Sequence, residues 1–395
     1  MNEQKKIKLG IFCPEPFLGG EMVYINSIIE VCSEINNIVE IVLFTNQEFS
    51  CSCNRNNISV IIYRPEYPRY SHNSVDRIKK CILHLLEKSK FINLARKRLP
   101  VDVLIFPYMS YDLLRIKNPY IINPQDLRHK HSASKLTLRS KLSAMASDIL
   151  YRRVMMRASS VVVDSDYNKQ DLIKYYNVPE GKMKIIHSLP DITALKSLKE
   201  FKQQGRINKY NISDEYIYYP AHLIEAKNHL NLLDALRIIK EKHGEVIPLI
   251  LSGGKQTLLS RIQERAKDYG ISVRYLGYID YTDVILILKK AKALVFASLF
   301  DPYALPIWEA FYLGVPVVSS NVCGLPEQVG NAGLLFDPNN INDMAEKIYR
   351  IWIDENMRKE LVKRGYDRIK NLTLENYAKQ WERVIEETLD MAERR

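Results

Sequence analysis

The sequence predicts an α/β protein built as two tandem Rossmann-like, doubly wound domains facing a cleft. Short runs rich in Ile, Val and Leu alternate with amphipathic stretches along the chain, which is the pattern of parallel βαβ units. The alternation lapses in a polar, lysine-rich stretch over 191–213 and restarts at Tyr216. The chain has 395 residues, more than one core usually serves. The expected organisation is a first domain over 1–195 and a connection over 196–213. A second domain follows over 214–378, with a C-terminal helix over 379–395 packing back on the first.

In the first domain, strands are expected at 6–13, 38–44, 59–63, 101–107, 120–123, 160–164 and 185–187. Helices are expected at 24–33, 76–98, 135–157 and 168–176. Over 76–98 the apolar residues Ile78, Cys81, Ile82, Leu85, Leu86, Phe91 and Leu94 recur at three- and four-residue spacing, a helical period. Ser165 reads as the cap of the helix that follows it. In the second domain, strands are expected at 216–219, 246–252, 273–276, 293–297, 315–319 and 334–336. Helices are expected at 231–243, 257–269, 282–290, within the 298–318 stretch, and from 341 onward.

Composition narrows the function. Hydrophobic residues make up 46% of the chain, ordinary for a globular protein. The start of the chain runs straight into a strand with no secretory leader, and no apolar run is long enough for a membrane span. Six cysteines are scattered, and Cys51 and Cys53 lack any partner pair at metal-ligand spacing. Free thiols in a reducing compartment and no bound metal are therefore expected. The net charge is +11, concentrated in the first half. Residues 76–98 hold eight Lys and Arg against two acids, and residues 128–157 hold eight against one. A focused basic patch suits an anionic bilayer surface or a polyanion. No nucleic-acid-binding motif accompanies it.

The most informative stretch is Ser298-Leu-Phe-Asp301-Pro-Tyr303-Ala304-Leu305-Pro306-Ile-Trp-Glu309-Ala310. It reads as the end of a buried strand, a tight loop and a helix, with Gly314 as the helix stop. Pro306 suits the first helical turn, where a missing N–H is no loss. Asp301 and Glu309 flank the loop-to-helix junction, the place where open α/β sheets bind ligands. Carboxylates there accept hydrogen bonds from hydroxyls, and the helix-start amides can face a phosphate. An acid near a helix start is also favoured by the macrodipole alone. A second element, Tyr218-Tyr-Pro-Ala-His222-Leu-Ile-Glu-Ala-Lys227-Asn228-His229, occupies the first strand-to-helix loop of the second domain. Further loops hold Gly19-Gly20, Gly253-Gly254 and Asn123-Pro-Gln125-Asp126-Leu-Arg128-His129. Glycine there allows close backbone approach to a ligand or forms a plain turn. Asp126 is equally a helix cap.

These motifs resemble the family 4 (group 1) retaining glycosyltransferases of the GT-B fold. The family pattern of a carboxylate, seven residues and Glu is matched by Asp301 through Glu309. Gly314-Val-Pro-Val-Val, Gly324-Leu-Pro-Glu327 and Ala332-Gly-Leu-Leu-Phe-Asp-Pro338 continue it. The resemblance is strong over 216–338 and moderate over 120–190. It implies that Glu309 binds the nucleotide ribose, that Asp301 contacts the donor sugar, and that Tyr303, Ala304 and Leu305 offer backbone amides. It assigns Lys227 to the donor diphosphate and places His222 where an Arg is usual, either as a ligand-side donor or as a turn residue. Gly253 and Gly20 fall on the donor side, and Gly19 and Arg128 on the acceptor side. Asp126 and His129 match a family loop that positions or deprotonates an acceptor hydroxyl. Two departures stand out: Asp301 is one methylene shorter than the usual Glu, and Ala304 replaces a Gly.

The resemblance implies metal-independent transfer of a sugar from a UDP- or GDP-linked donor to a glycan or lipid-linked acceptor, with retention and without a cofactor. Surface polysaccharide assembly (lipopolysaccharide, O-antigen or capsule) is the expected setting. The expected location is cytoplasmic, peripheral on the inner face of the membrane, with no nucleic-acid partner. The alternatives are a nucleotide-sugar epimerase or phosphorylase on the same fold, or a non-enzymatic nucleic-acid-binding protein.

Overall fold

A computed structural model describes residues 6–13, 20–45, 58–62, 99–110, 113, 116–125, 127–131, 148–149, 151–200, 205–212 and 215–394. The chain divides into two compact units, Met1–Ser188 with Leu374–Arg395, and Leu189–Thr373. The expected helix over 76–98 and most of that over 135–157 lie outside the described residues.

The first unit holds a parallel sheet of β1 (Ile7–Cys13), β2 (Ile38–Thr45), β3 (Ile58–Ile62), β4 (Val103–Phe106), β5 (Tyr120–Ile122), β6 (Ser160–Val163) and β7 (Met183–Ile185). Their order is β3-β2-β1-β4-β5-β6-β7. β4, β5 and β6 are buried along their whole length, which is why they read as unbroken apolar runs. Ser165 caps the helix Asp166–Tyr176 by accepting from the Asn168 amide at 3.2 Å. The helix Leu374–Glu393 packs on the helix Gly20–Glu34 with Trp381 fully buried. Thr388 Oγ1 meets Ser160 Oγ at 2.8 Å, and Asn37 Nδ2 donates to Glu386 Oε1 at 3.0 Å.

The second unit holds a parallel sheet of β8 (Ile217–Pro220), β9 (Leu249–Ser252), β10 (Val273–Tyr275), β11 (Ala293–Phe296), β12 (Val317–Ser320) and β13 (Gly333–Phe336). Their order is β10-β9-β8-β11-β12-β13. The chain winds outward from β8 to β10, returns to the middle at β11, and winds outward the other way. The reversal lies between β8 and β11, whose register pairs Leu294 with Tyr218. β9 starts three residues later than the sequence implies, because Pro248 has no N–H for the ladder and contributes only its carbonyl, to Ile217 N at 2.9 Å.

The stretch 196–213, expected as a connection, is more structured than its polarity implies. A helix runs Ile192–Glu200, and Leu195 and Ile207 are buried in the core of the second unit. Ile192 and Leu195, three apart, are the buried residues that seat that helix. Arg206 and Lys209 pair with Asp283, a fully buried carboxylate that also accepts from Tyr210 Oη at 2.6 Å.

Candidate active site

Open α/β sheets bind ligands at the carboxyl ends of their strands where the winding reverses. In the second unit that point lies between β8 and β11, and the two strongest motifs follow those two strands. Lys227 ends the 3-10 turn Glu225–Lys227 after β8. Asp301 sits in the loop after β11. Lys227 Nζ donates to Asp301 Oδ2 at 2.5 Å, with the side chains 14% and 8% exposed. The ammonium also lies 5.2 Å from the centroid of the Phe296 ring.

Behind the pair, β8 supplies two successive tyrosines whose hydroxyls meet different partners, as period-two alternation requires. Tyr219 Oη donates to the Lys227 carbonyl at 3.1 Å and lies 3.1 Å from Ser298 Oγ. Tyr218 Oη meets Ser252 Oγ at 2.5 Å. The Tyr219 ring stacks on His229 at a centroid separation of 4.8 Å. Burial, and then the nearby Lys227, push the His229 imidazole down to about 3, and neither ring nitrogen has a hydrogen-bond partner among the described residues.

Glu309 lies in the helix Leu305–Leu313, which carries Pro306 in its first turn and ends at Gly314 with φ 71. The left-handed φ favours glycine at this stop, where a Cβ would also crowd Tyr366 Oη at 2.4 Å. Glu309 is buried and accepts from Tyr281 Oη at 2.8 Å. Burial raises its carboxyl to about 7, the Tyr281 hydrogen bond works against that rise, and Asp191 adds to it. A buried carboxyl titrating near neutrality beside a loop is the property expected of a functional acid.

The loop between the carboxylates is held by Gln328, which the sequence reading did not single out. Its Oε1 accepts from the Ala304 amide at 3.0 Å and its Nε2 donates to the Ala304 carbonyl at 2.7 Å. The Ala304 amide, expected to face a ligand, is therefore engaged within the protein, and that expectation is corrected. Leu305 begins the helix, so its N–H has no acceptor within the helix. Tyr303 Oη accepts from Trp308 Nε1.

His222 makes the contacts of a turn residue, one of its two readings. Its Nδ1 accepts from the amides of Gly254 at 3.1 Å and Lys255 at 3.2 Å. With Nδ1 accepting, the ring proton sits on Nε2, which keeps its capacity to donate. Gly253, with φ +153, is a crossing point of main chains: its N–H donates to the Gly277 carbonyl at 2.9 Å and its own carbonyl accepts from Tyr275 Oη.

The first-unit residues are less fully described. Gly20 opens the helix Gly20–Glu34, whereas Gly19 and Asp126 lie outside the described residues. Arg128 and His129 open the short helix Arg128–His131, with their side chains outside the described residues. Just before them, buried Asn123 shapes the loop. Its Oδ1 accepts from the Gln125 amide at 2.7 Å, and Gln125 takes φ 56. Burial pushes the nearby Asp164 carboxyl up to about 6, against hydrogen bonds from Ser188 and Asn123. Among the described residues no cluster of metal-ligating side chains occurs, and no helix is long and apolar enough to cross a membrane.

Residues 199–368 match the family described as glycosyl transferases group 1. The O-antigen chain mannosyltransferase B of Escherichia coli is 30% identical over 223 residues, 55% of this chain and 58% of that protein. The chain thus spans a little over half of that relative. Two solved structures share the fold. Sucrose-phosphate synthase of Thermosynechococcus elongatus has a TM-score of 0.75 at 18% identity, covering 96% of this chain and 98% of that one. HepE of Anabaena, in complex with UDP-glucose, has a TM-score of 0.72 at 16% identity, covering 96% and 99%. The two parallel sheets are thus an α/β architecture found among known glycosyltransferases, and over residues 199–368, the stretch that contains Lys227, Asp301 and Glu309, this chain matches the group 1 glycosyl transferases.

Proposed function

We propose that this protein transfers a sugar from a nucleotide diphosphate donor to an acceptor hydroxyl, with retention at the anomeric carbon, in the assembly of a surface polysaccharide. The observation that carries the reading is the meeting of Lys227 and Asp301 at 2.5 Å at the switch point of the second sheet. In this reading the cation serves a phosphate, the carboxylate a sugar hydroxyl, and Glu309 in the following helix the ribose. The match of residues 199–368 supports sugar transfer over epimerisation, phosphorolysis or nucleic-acid binding. The relative named for O-antigen mannosyl transfer supports the polysaccharide setting. The UDP-glucose complex of the Anabaena protein supports a nucleotide sugar as donor.

In this reading Lys227 stabilises the negative charge that grows on the departing phosphate, the task a metal ion performs in other transferases. The acceptor oxygen bonds to the anomeric carbon as the bond from that carbon to the phosphate oxygen breaks. The acceptor proton passes to the departing phosphate oxygen on the same face. Asp301 and Glu309 orient sugar and ribose and form no covalent bond. A lipid-linked acceptor on an anionic bilayer accounts for the basic first half. Each Lys or Arg near such a surface contributes about 1 kcal/mol. Ile149 is 65% exposed and Met156 41%, and Arg152 and Arg153 beside them are exposed too.

A thermal-shift screen against UDP, GDP, ADP and their sugars tests the donor reading. One nucleotide series should stabilise the protein, and indifference to all of them would contradict the reading. Flotation with anionic and neutral liposomes tests the membrane reading, and equal recovery from both would remove it.

A further inference from the structure

The hydroxyl of Tyr219 sits between the two loops that carry the candidate site. The carbonyl of Lys227 can only accept, so the Tyr219 proton is committed to it at 3.1 Å. Ser298 Oγ, also 3.1 Å from Tyr219 Oη, is then the donor to the tyrosine. Ser298 is held in turn from behind, because Ser320 Oγ on β12 donates to its carbonyl at 2.7 Å. One chain of hydrogen bonds thus runs from the turn after β8, across the end of β11, to β12. Tyr219, Ser298 and Ser320 are all fully buried. Hydroxyls in a core are costly unless paired, and a fully paired set fixes one geometry. The Tyr219 ring is constrained as well. It stacks on His229 at 4.8 Å and meets the Phe296 ring edge-on at 5.4 Å. Phe296 also carries the Lys227 ammonium, 5.2 Å from its centroid. Tyr219 therefore supports Lys227 twice, at its main-chain carbonyl and through the ring beside its ammonium. Leu299 N donates to the Ala226 carbonyl at 2.9 Å and ties the same two loops one residue short of Lys227. The tyrosine hydroxyl adds the tie at Lys227 itself.

Resting on the donor reading above, we propose that Tyr219 is a positioning residue for donor binding: its hydroxyl sets Lys227 in place against the loop after β11, so that the ammonium meets the donor diphosphate without reorganising. Tyr219 touches no substrate in this account and acts through Lys227. A cation already held in its binding position takes an anion more tightly than a mobile one, because less conformational freedom is lost on binding. The same hydroxyl serves both loops, so the spacing between the residue for the phosphate and the loop for the sugar is set by one buried group. A phenylalanine at 219 would keep the ring contacts with His229 and Phe296 and lose only the ties to Lys227 and Ser298.

Calorimetric titration with UDP and GDP tests this on wild type, Tyr219→Phe, Lys227→Ala and the double variant, with folding checked by circular dichroism. Tyr219→Phe should bind whichever nucleotide the wild type takes roughly fivefold more weakly. The double variant should bind no more weakly than Lys227→Ala alone, because the tyrosine acts only through the lysine. A tyrosine that is structural and nothing more would lower the melting temperature and leave the affinity of the folded protein unchanged, and that result would overturn the positioning role. Losses that multiply in the double variant would overturn it too. With Lys227→Ala weakened, both of these results leave the donor reading standing. Wild-type affinity in Lys227→Ala, or no binding of either nucleotide to the wild type, would overturn the donor reading and the positioning role with it. Should Tyr219→Phe fail to fold, Ser298→Ala breaks the same chain from its other side. It should show the same loss and the same lack of additivity with Lys227→Ala, and wild-type affinity in it would overturn the positioning role.

Discussion

Tyr281 donates a hydrogen bond of 2.8 Å to Oε1 of Glu309, reaching a carboxylate 28 positions further along the chain. One oxygen of Glu309 is thereby occupied, and the proton equilibrium of the group is set by burial and Asp191 on one side and this hydrogen bond on the other. The net result is a carboxyl raised to about 7, chiefly by burial, with the tyrosine holding it lower than it would otherwise stand.

Donor binding should follow that proton. An ionised Glu309 accepts hydrogen bonds from ribose hydroxyls, so the KM for the donor should rise as pH falls below about 7. Tyr281→Phe removes the contact that lowers the carboxyl, so the midpoint of the KM profile should move to higher pH. Initial rates against donor concentration between about pH 5.5 and 8.5 measure it. A midpoint that stays put in Tyr281→Phe would contradict the assignment.

His229, whose imidazole is shifted the other way, offers a stability test. Its folded value of about 3 lies below the ordinary 6.5. Below pH 6.5 the unfolded chain takes up a proton that the folded chain refuses, so stability is lost as pH falls from 6.5 toward 3. His229→Leu removes two unpartnered nitrogens of nearly the same volume and should stabilise the fold by about 1–3 kcal/mol. The gain should be larger at pH 5 than at pH 8 in urea denaturation. Parallel unfolding curves for the two proteins across pH would rule this account out.

Two neighbouring glycines should behave differently. A Cβ on Gly253 would lie 2.3 Å from the Ala221 carbonyl oxygen at a φ of +153, whereas one on Gly254 meets nothing nearer than 3.4 Å. Gly253→Ala should cost about 2–3 kcal/mol and disturb the His222 loop. Gly254→Ala should stay within about 0.5 kcal/mol of wild type. Equal melting temperatures for the two variants would show that the main-chain crossing at 221 and 253 is not as tight as described.

Gln328 holds both main-chain polar groups of Ala304 from 24 positions away. Gln328→Ala should destabilise the protein by about 1–3 kcal/mol by leaving the buried Ala304 N–H unpaired, while the Ala304 carbonyl keeps its bond from the Ile307 amide. It should also raise the KM for the donor severalfold, because the loop bearing Asp301 loses its support. Loss of stability with KM unchanged would restrict Gln328 to a structural role.

The parts of the site legible in the sequence are those determined within a few residues. Pro306 in the first turn, Glu309 just beyond it and Gly314 at the stop are local consequences of helix geometry. Ser165 as a cap is another. The strands are legible because sheets covered on both faces leave unbroken apolar runs. Tyr281, Gln328 and Tyr219 were not legible, because each acts on a partner brought near only by the sheet order. Gln328 directly follows the Gly324-Leu-Pro-Glu327 turn, and only three-dimensional placement aims it at Ala304. His222 was ambiguous for the same reason: its partners are amides more than 30 positions away. The stretch 196–213 is more ordered than its composition suggests, since Leu195 just before it and Ile207 within it are buried in the core of the second unit.

The most direct test is the rate of nucleoside diphosphate release from the preferred nucleotide sugar and acceptor, measured for wild type, Lys227→Ala and Glu309→Ala with folding verified. Both variants should fall by roughly tenfold to a hundredfold while keeping wild-type secondary structure. Wild-type rates in either would show that the donor is not bound at the switch point between β8 and β11.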